Sequence, residues 1–141
     1  MFNVIVVGAD DSSTARRAIE PAAELANMSG GALHIVSAYD KVTLSDSNLP
    51  SEFRNMGTAG GVDALLQSLS FIAKNQGVEP VLHSVAGDPV DAIIATADKV
   101  DADLIVVGNR GMKGARRVLG SVPNSVAHGA NCSVAIIDTT E

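Results

Sequence analysis

Short apolar runs alternate along the chain with longer segments in which apolar residues recur every three or four positions. Four of the runs, NVIVVG, ALHIVSA, DLIVVG and CSVAIID, are rich in Val and Ile. Continuous apolar runs of this kind are typical of strands that are covered on both faces of a parallel sheet. A fifth run, PVLHSVAG, alternates Val81, His83 and Val85 with Leu82 and Ser84, which predicts a strand nearer an edge of the sheet.

The segments between these runs have the periodicity of amphipathic helices. Asp88 and Pro89 mark the start of the third helix, because Asp can cap free amides and Pro fits the first helical position. Pro21 lies inside the first helix, where it removes one backbone hydrogen bond and is expected to kink or shorten the helix. The residues at helical spacing are Ala15, Ala18, Ile19, Ala22 and Ala26 in the first segment, Val62, Leu65, Leu66, Leu69 and Ile72 in the second, and Val90, Ile93, Ile94 and Ala97 in the third.

The predicted order of strand, helix, strand, helix, strand, helix, strand, loop with a short helix, and strand indicates an α/β fold. Alternation of this kind builds an open parallel five-stranded sheet with helices on both faces. The 141 residues, 46% of them hydrophobic, are enough for one buried core, so we expect a single domain over residues 1–141. Residues 39–61 are too long for a plain connection and are expected to form an irregular excursion, either a mobile flap or a surface loop.

The composition narrows the classes of partner. The formal net charge of −6 argues against a general nucleic-acid binder, which needs a broad basic face. The chain begins without a basic leader, and its apolar runs are too short to span a bilayer. We therefore expect no membrane association and a cytoplasmic location.

Few residues suggest catalysis. The single cysteine, Cys132, excludes an internal disulfide and is expected to be a buried strand thiol rather than a nucleophile. His34 and His83 fall in predicted strands as core or edge residues, and His128 falls in the last helix as a surface or interface residue. The sequence has no H-E-x-x-H, C-x-x-C or G-x-S-x-G motif, and no loop carboxylate stands out as a base that could activate water.

The segment GNRGMKGARRVLGS, residues 108–121, collects four glycines and four basic residues, and no acidic residue lies between Asp103 and Asp138. Bare glycine backbone can approach a phosphate and point several amides at it, and a following helix N-terminus adds positive charge. In parallel sheets ligands bind beyond the carboxyl ends of strands where the strand order reverses, and VIVVG and LIVVG mark that edge here. The alternatives are a solvated basic face and, for Ser121, a simple helix cap. The spacing matches neither a Walker A loop nor a dinucleotide fingerprint.

At this point the residues suggest a family. The stretches VVGADDSSTARRAI and DLIVVGNRGMKGARRVLGSVPNSVAHGANCSVAII resemble the universal stress protein family over essentially the whole chain. The second stretch is similar to that family's ATP-binding signature, G-x2-G-x9-G-[ST], but only eight residues separate Gly111 from Gly120. The resemblance implies a Rossmann-like or flavodoxin-like sheet of the adenine nucleotide alpha hydrolase-like type.

The resemblance also implies a nucleotide site. Asp10 matches the family acid that meets ribose or adenine, and the end of the second predicted strand matches the backbone that faces adenine. Gly108, Gly111, Gly120 and Ser121 match the positions that hold phosphate. The implied ligand is ATP or another adenine nucleotide, such as cyclic AMP. The implied site residues are Gly8, Ala9, Asp10, Val36, Ser37, Ala38, Gly108, Asn109, Arg110, Gly111, Gly120, Ser121 and Val122.

Two questions stay open from the sequence, the function and the binding of a metal, and one further expectation concerns assembly. The protein is a nucleotide-binding stress or regulatory protein, a slow ATPase at most weakly active, or a dimeric stress or chaperone-like module that needs no nucleotide. Asp10 and Asp11 could hold Mg²⁺ together with phosphate oxygens, or one could cap the first helix while the other is solvated. The last strand, SVAIID, is apolar and is expected to end the sheet, so pairing with a second copy would cover it, as the resemblance implies.

Overall fold

Strands and helices alternate along the part of the chain that the structure describes. The computed structural model describes residues 2–10, 15–39, 59–109 and 122–139. All the predicted strands and helices are confirmed in the predicted order. In chain order the elements are β1 Val4–Gly8, α1 Arg16–Ser29, β2 Ala32–Tyr39, α2 Ala59–Asn75, β3 Val81–Ala86, α3 Pro89–Lys99, β4 Leu104–Gly108, α4 Val122–Gly129 and β5 Ser133–Ile137.

The five strands form one parallel sheet in the order β3-β2-β1-β4-β5. The predicted open parallel α/β fold is therefore confirmed. β3 lies at one edge, as its alternating pattern predicted, and β5 lies at the other. In the sheet, β1 lies between β2 and β4, so the strand order reverses between β1 and β4. These are the two strands that end in Val-Val-Gly.

Helices cover both faces of the sheet, so the domain has three layers and two hydrophobic cores. The first core packs the sheet against α1 and α2, and the second packs it against α3 and α4. The buried strand residues divide between the cores by alternation, because successive side chains point to opposite faces. Those in the first core are Ile5, Val7, Leu33, Ile35, Leu104 and Val106, and those in the second are Val6, Val36, Ile105 and Val107.

The helix ends follow the expected chemistry at α3 and depart from it at α1. The Asp88 carboxylate accepts a hydrogen bond from the Asp91 amide at 3.1 Å, and Pro89 is the first helical residue, as predicted. α1 runs through Pro21 to Ser29, so Pro21 does not shorten it. Its buried alanines pack closely on the sheet, and this tertiary packing offsets the one missing hydrogen bond.

Two boundaries differ from the sequence-based expectation. The excursion expected over 39–61 is too wide, because Tyr39 is the last residue of β2 and residues 59–61 belong to α2, while residues 40–58 lie outside the described part. Cys132 precedes β5 by one residue and is half-buried, so it is not the buried strand thiol expected. Burial, which is the main cause, together with Asp98 and Asp103, raises the pKa of the Cys132 thiol, and this disfavours the nucleophilic thiolate.

Within the described ranges, none of the helices combines the length and the apolar composition that crossing a membrane requires.

Candidate functional site

The candidate site lies at the carboxyl ends of β1, β2 and β4, where the strand order reverses. The chain leaving β1 leads to α1 on one face, and the chain leaving β4 leads to α4 on the other. Connections that diverge in this way leave a crevice between the two strand ends, which is the usual place for a ligand in an open α/β sheet. The structure brings three of the predicted segments, residues 8–10, 36–38 and 108–109, to this edge.

The segment after β1 stays attached to β2. Gly8 pairs in register with Val36, and the Ala9 amide donates to the Val36 carbonyl at 2.9 Å. Asp10 follows this bond and is exposed. Asp10 does not cap the first helix, because α1 begins at Arg16 with Ala15 as its N-cap and has no side-chain cap bond. Asp10 therefore lies exposed at the edge of the sheet where β1 ends.

Gly8 lies in close contact with a neighbouring helix. A Cβ at this position would lie 2.5 Å from Cδ1 and 3.0 Å from Cγ1 of Ile93, which is a buried residue of α3. The bare backbone of Gly8 lets α3 approach the end of β1. Gly8 thus shapes the floor of the crevice through packing.

The predicted adenine-facing residues at the end of β2 differ in accessibility. Val36 is buried, and its carbonyl is already engaged by the Ala9 amide. Ser37 is also buried, whereas Ala38 is half-buried and packs against the second core. A ligand at this edge therefore meets Ala38 more readily than Val36 or Ser37.

The start of the loop after β4 is held by the residues that follow β5. The Asn109 amide donates to the Ile137 carbonyl at 2.8 Å, and the Thr139 amide donates to Asn109 Oδ1 at 2.9 Å. Thr139 is buried, with 3% of its surface exposed. Asn109 is fixed both through its main chain and through its side chain, so the chain leaves β4 in a set direction.

Thr139 also explains Gly108. A Cβ on Gly108 would lie 2.6 Å from Cγ2 and 2.7 Å from Oγ1 of Thr139, closer than real contacts allow. Sequence reasoning missed Thr139, because only the parallel pairing that sets Gly108 opposite Ile137 brings the end of β5 to this point. No motif or spacing in the sequence signals it.

The far end of the predicted phosphate segment is described from Val122 onward. Val122 begins α4, is half-buried and packs against the second core, and Pro123 is the second helical residue. The remaining predicted site residues lie outside the described residues: Arg110, Gly111, Gly120 and Ser121, together with the neighbouring Asp11.

The described residues contain no group of three or more potential metal ligands. Among residues 2–10, 15–39, 59–109 and 122–139, no three His, Cys, Asp or Glu side chains come together as a group that could hold a metal ion. His34 and His83 lie on β2 and β3, as predicted, and contact each other. His128 is exposed in the last turn of α4.

Comparison with known proteins identifies the family. The model described as "Universal stress protein family" matches residues 1–138. The chain belongs to the universal stress protein family. It is 36% identical over 145 residues to a universal stress protein of Mycobacterium tuberculosis strain H37Rv, and the match covers 99% of this chain and 98% of that protein. The family resemblance seen in the sequence is confirmed.

Solved universal stress proteins share the fold. One, described as a universal stress protein in complex with cAMP, matches with a TM-score of 0.83 and 35% identity over 99% of both chains. Another, a universal stress protein from Archaeoglobus fulgidus in complex with dAMP, matches with a TM-score of 0.70 and 26% identity over 98% of both chains. The Rossmann-like α/β architecture expected from the resemblance is therefore confirmed.

Proposed function

We propose that this universal stress protein binds an adenine nucleotide in the crevice at the carboxyl ends of β1, β2 and β4. The observation that carries the proposal is the convergence of residues 8–10 and 108–109 at the reversal of strand order. The class of ligand is supported by two similar family members, which are described as complexes with cAMP and dAMP.

The residues at the crevice suit the parts of such a ligand. Asp10 is exposed at the rim and can accept a hydrogen bond from a ribose hydroxyl, while Ala38 offers an apolar contact for the base. The segment from Asn109 to Val122 is rich in glycine and arginine, which suits a phosphate group. In this proposal Gly108, Arg110, Gly111, Gly120 and Ser121 hold the phosphate, as the resemblance implies.

A nucleotide with one phosphate group is the form we favour. Both similar complexes hold an adenine nucleotide of that kind. Asp10 would supply one carboxylate to Mg²⁺, which also needs phosphate oxygens, so a metal would enter mainly with ATP. Mg²⁺ binding, slow ATP hydrolysis and a cytoplasmic location stay predictions.

Calorimetric titration of the full chain tests the proposal. cAMP, AMP and ATP with and without Mg²⁺ are compared with GMP, and we expect the adenine nucleotides alone to bind. Ligand at one hundred times its dissociation constant should raise the free energy of unfolding by about 2.7 kcal/mol. Binding of no adenine nucleotide at millimolar concentration would contradict the proposal.

An Asp10→Asn variant tests the site. Loss of a charge-assisted hydrogen bond, worth roughly 1.5–3 kcal/mol, should weaken nucleotide binding by about tenfold or more. Glu24→Gln is the matched control, because Glu24 is an exposed carboxylate on the outer side of α1. Equal nucleotide affinities of the two variants would show that the ligand does not contact Asp10.

We also propose that β5 pairs two copies of the chain. β5 has one strand neighbour, β4, and Ile136 on it is 40% exposed. An uncovered apolar edge strand favours pairing with another chain. Light scattering should give twice the chain mass, and Ile136→Lys should lower it, whereas Val81→Lys, at 49% exposure on the opposite edge strand, should not. A monomer at micromolar concentration would exclude this dimer.

A further inference from the structure

His34 and His83 form a close pair near the edge of the sheet opposite to β5. They lie on the neighbouring strands β2 and β3, where His83 is in register with Val36, two residues beyond His34. Both side chains therefore project from the same face as Val36, which is the face covered by α3. Their ring centroids are 5.1 Å apart, and Nδ1 of His34 lies 2.8 Å from Nε2 of His83.

The surroundings favour the neutral form of both rings. Both histidines are half-buried, and desolvation lowers the pKa of His34. Desolvation also lowers the pKa of His83, followed by the charges of His34 and Lys99. A neutral imidazole nitrogen has the lone pair that a metal ion needs, and imidazole is the most common protein ligand for transition metals.

We propose that His34 and His83 form a two-histidine site for a late first-row divalent cation such as Ni²⁺ or Cu²⁺. With metal–nitrogen bonds of about 2.0–2.1 Å, the observed nitrogen separation corresponds to an angle of about 85° at the metal. This is the angle between adjacent ligands in square-planar and octahedral complexes, and a square-planar or tetragonal nitrogen site suits Cu²⁺ or Ni²⁺. A tetrahedral Zn²⁺ site would need the two nitrogens about 3.3 Å apart, so the geometry favours the other two metals.

Water would complete the coordination. Within the described part of the chain, no third His, Cys, Asp or Glu joins the pair, and both rings are partly open to solvent. Lys99, at the end of α3, is the cation that acts on His83, and its charge opposes that of a bound metal. Metal binding would require the bridging proton to move to the outer nitrogen of the ring that carries it, so that Nδ1 of His34 and Nε2 of His83 both offer a lone pair. The bound metal would then join edge strand β3 to β2. His83 lies beside Val36 in register, so the metal site adjoins the end of β2 that the nucleotide proposal uses, and Ni²⁺ titration in the absence of nucleotide tests it alone.

Titration with Ni²⁺ tests the site on the full chain without a polyhistidine tag. We expect one equivalent to bind and to raise the melting temperature. Loss of one ligand should weaken binding by about tenfold or more, since even loss of an outer-sphere partner costs about 10–100-fold. His34→Gln and His83→Gln should each show this loss, Lys99→Gln should tighten binding, and the exposed His128→Gln is the matched control.

Cu²⁺ gives a readout that needs no substitution. The electron paramagnetic resonance spectrum should show coupling to two nitrogens, and the ring protons of His34 and His83 should broaden first in nuclear magnetic resonance spectra. The proposal is overturned if wild type binds no stoichiometric Ni²⁺ or Cu²⁺. It is equally overturned if the His34→Gln/His83→Gln double variant binds them with wild-type affinity, or if broadening centres on His128 or Cys132. If His34→Gln fails to fold, His83→Gln on the edge strand and the wild-type spectra still test the proposed metal site.

Discussion

Gly8 and Gly108 are the last residues of two adjacent strands that both end in Val-Val-Gly. A different neighbouring side chain limits the space for a Cβ at each of them. Neither belongs to the described glycines with positive φ, which are Gly30, Gly77 and Gly87. Both are therefore explained by space rather than by backbone conformation. A side chain at Gly8 would meet the tip of Ile93, and one at Gly108 would meet both Cγ2 and Oγ1 of Thr139.

The difference lies in how freely each neighbour can move. Ile93 and Thr139 are both β-branched and buried, but the Cδ1 methyl of Ile93 is one bond further out and can turn about χ2. Thr139 is β-branched and stiff, it is buried, and its amide is tied to Asn109. Gly108 is thus required by the folded protein before any ligand binds. A glycine in a binding signature is not by itself proof of contact with phosphate.

The largest effect is expected for Gly108→Ala. Overpacking against a buried, stiff side chain costs about 1–3 kcal/mol, and we expect the upper part of that range in urea denaturation. The nucleotide affinity should fall as well, because Asn109 moves with Thr139. Gly60→Ala is the control, since a Cβ there meets nothing within 4 Å and Ala favours a helix. Equal stability of the two variants would contradict the role given to Thr139.

A double-mutant cycle with Thr139→Ala sharpens the comparison. Once Cγ2 and Oγ1 are removed, Thr139 Cβ is the nearest atom, at 3.2 Å from the new Cβ on residue 108. Gly108→Ala should therefore cost about 1–2 kcal/mol less in the Thr139→Ala background than in wild type. Additive free energies of unfolding would show that the clash is not with Thr139.

A smaller effect is expected for Gly8→Ala. Ile93 can adopt another rotamer at a cost of about 0.5–1.5 kcal/mol, so thermal unfolding should show a modest loss of stability. Ile93→Val, which removes the Cδ1 methyl, should relieve most of the clash. A loss larger than that of Gly108→Ala would reverse the ranking of the two glycines.

The least effect on the crevice is expected at the opposite end of the same two strands. The Asp103 carboxylate accepts from the amides of Asn3 at 2.8 Å and Val4 at 3.0 Å, and these bonds are the main cause that lowers its pKa. Because the pKa is lowered on folding, the stabilisation is present above the unfolded pKa and is lost as the pH falls through the folded value. Asp103→Asn should be less stable than wild type at pH 7 and should approach it in acid.

Nucleotide affinity provides the control for Asp103→Asn. Because Asp103 lies at the amino end of β4, the folded variant should bind nucleotide as wild type does. If the nucleotide affinity of Asp103→Asn falls together with its stability, any loss of stability disturbs the crevice. A lower affinity of Gly108→Ala would then say nothing specific about Gly108.

Much of the fold could be predicted because hydrophobic periodicity reflects which faces are buried. The alternation of Val81, His83 and Val85 identified an edge strand, and the two Val-Val-Gly ends identified the reversal of strand order. The start of α2 was missed because Gly60 and Gly61 are typical of a loop. The helix includes them since Val62, Leu66 and Leu69 pack on the sheet beyond them.

The finer features of the site depend on register, which a single sequence does not state. The contact between Thr139 and Asn109 joins residues 30 apart, and that between His34 and His83 joins residues 49 apart. In each case the partners meet only because neighbouring strands align at one particular offset. Composition and local spacing predicted the edge of the sheet that carries the site but not the residues that hold it in shape.

The bond between Thr139 and Asn109 also bears on the order of events during synthesis. A ribosome makes Asn109 well before Thr139, and β5 must emerge and join β4 before that bond can form. Until then the exit from β4 has no anchor. A nascent chain that ends at Val122 therefore lacks both residues whose bonds fix Asn109 at the exit from β4.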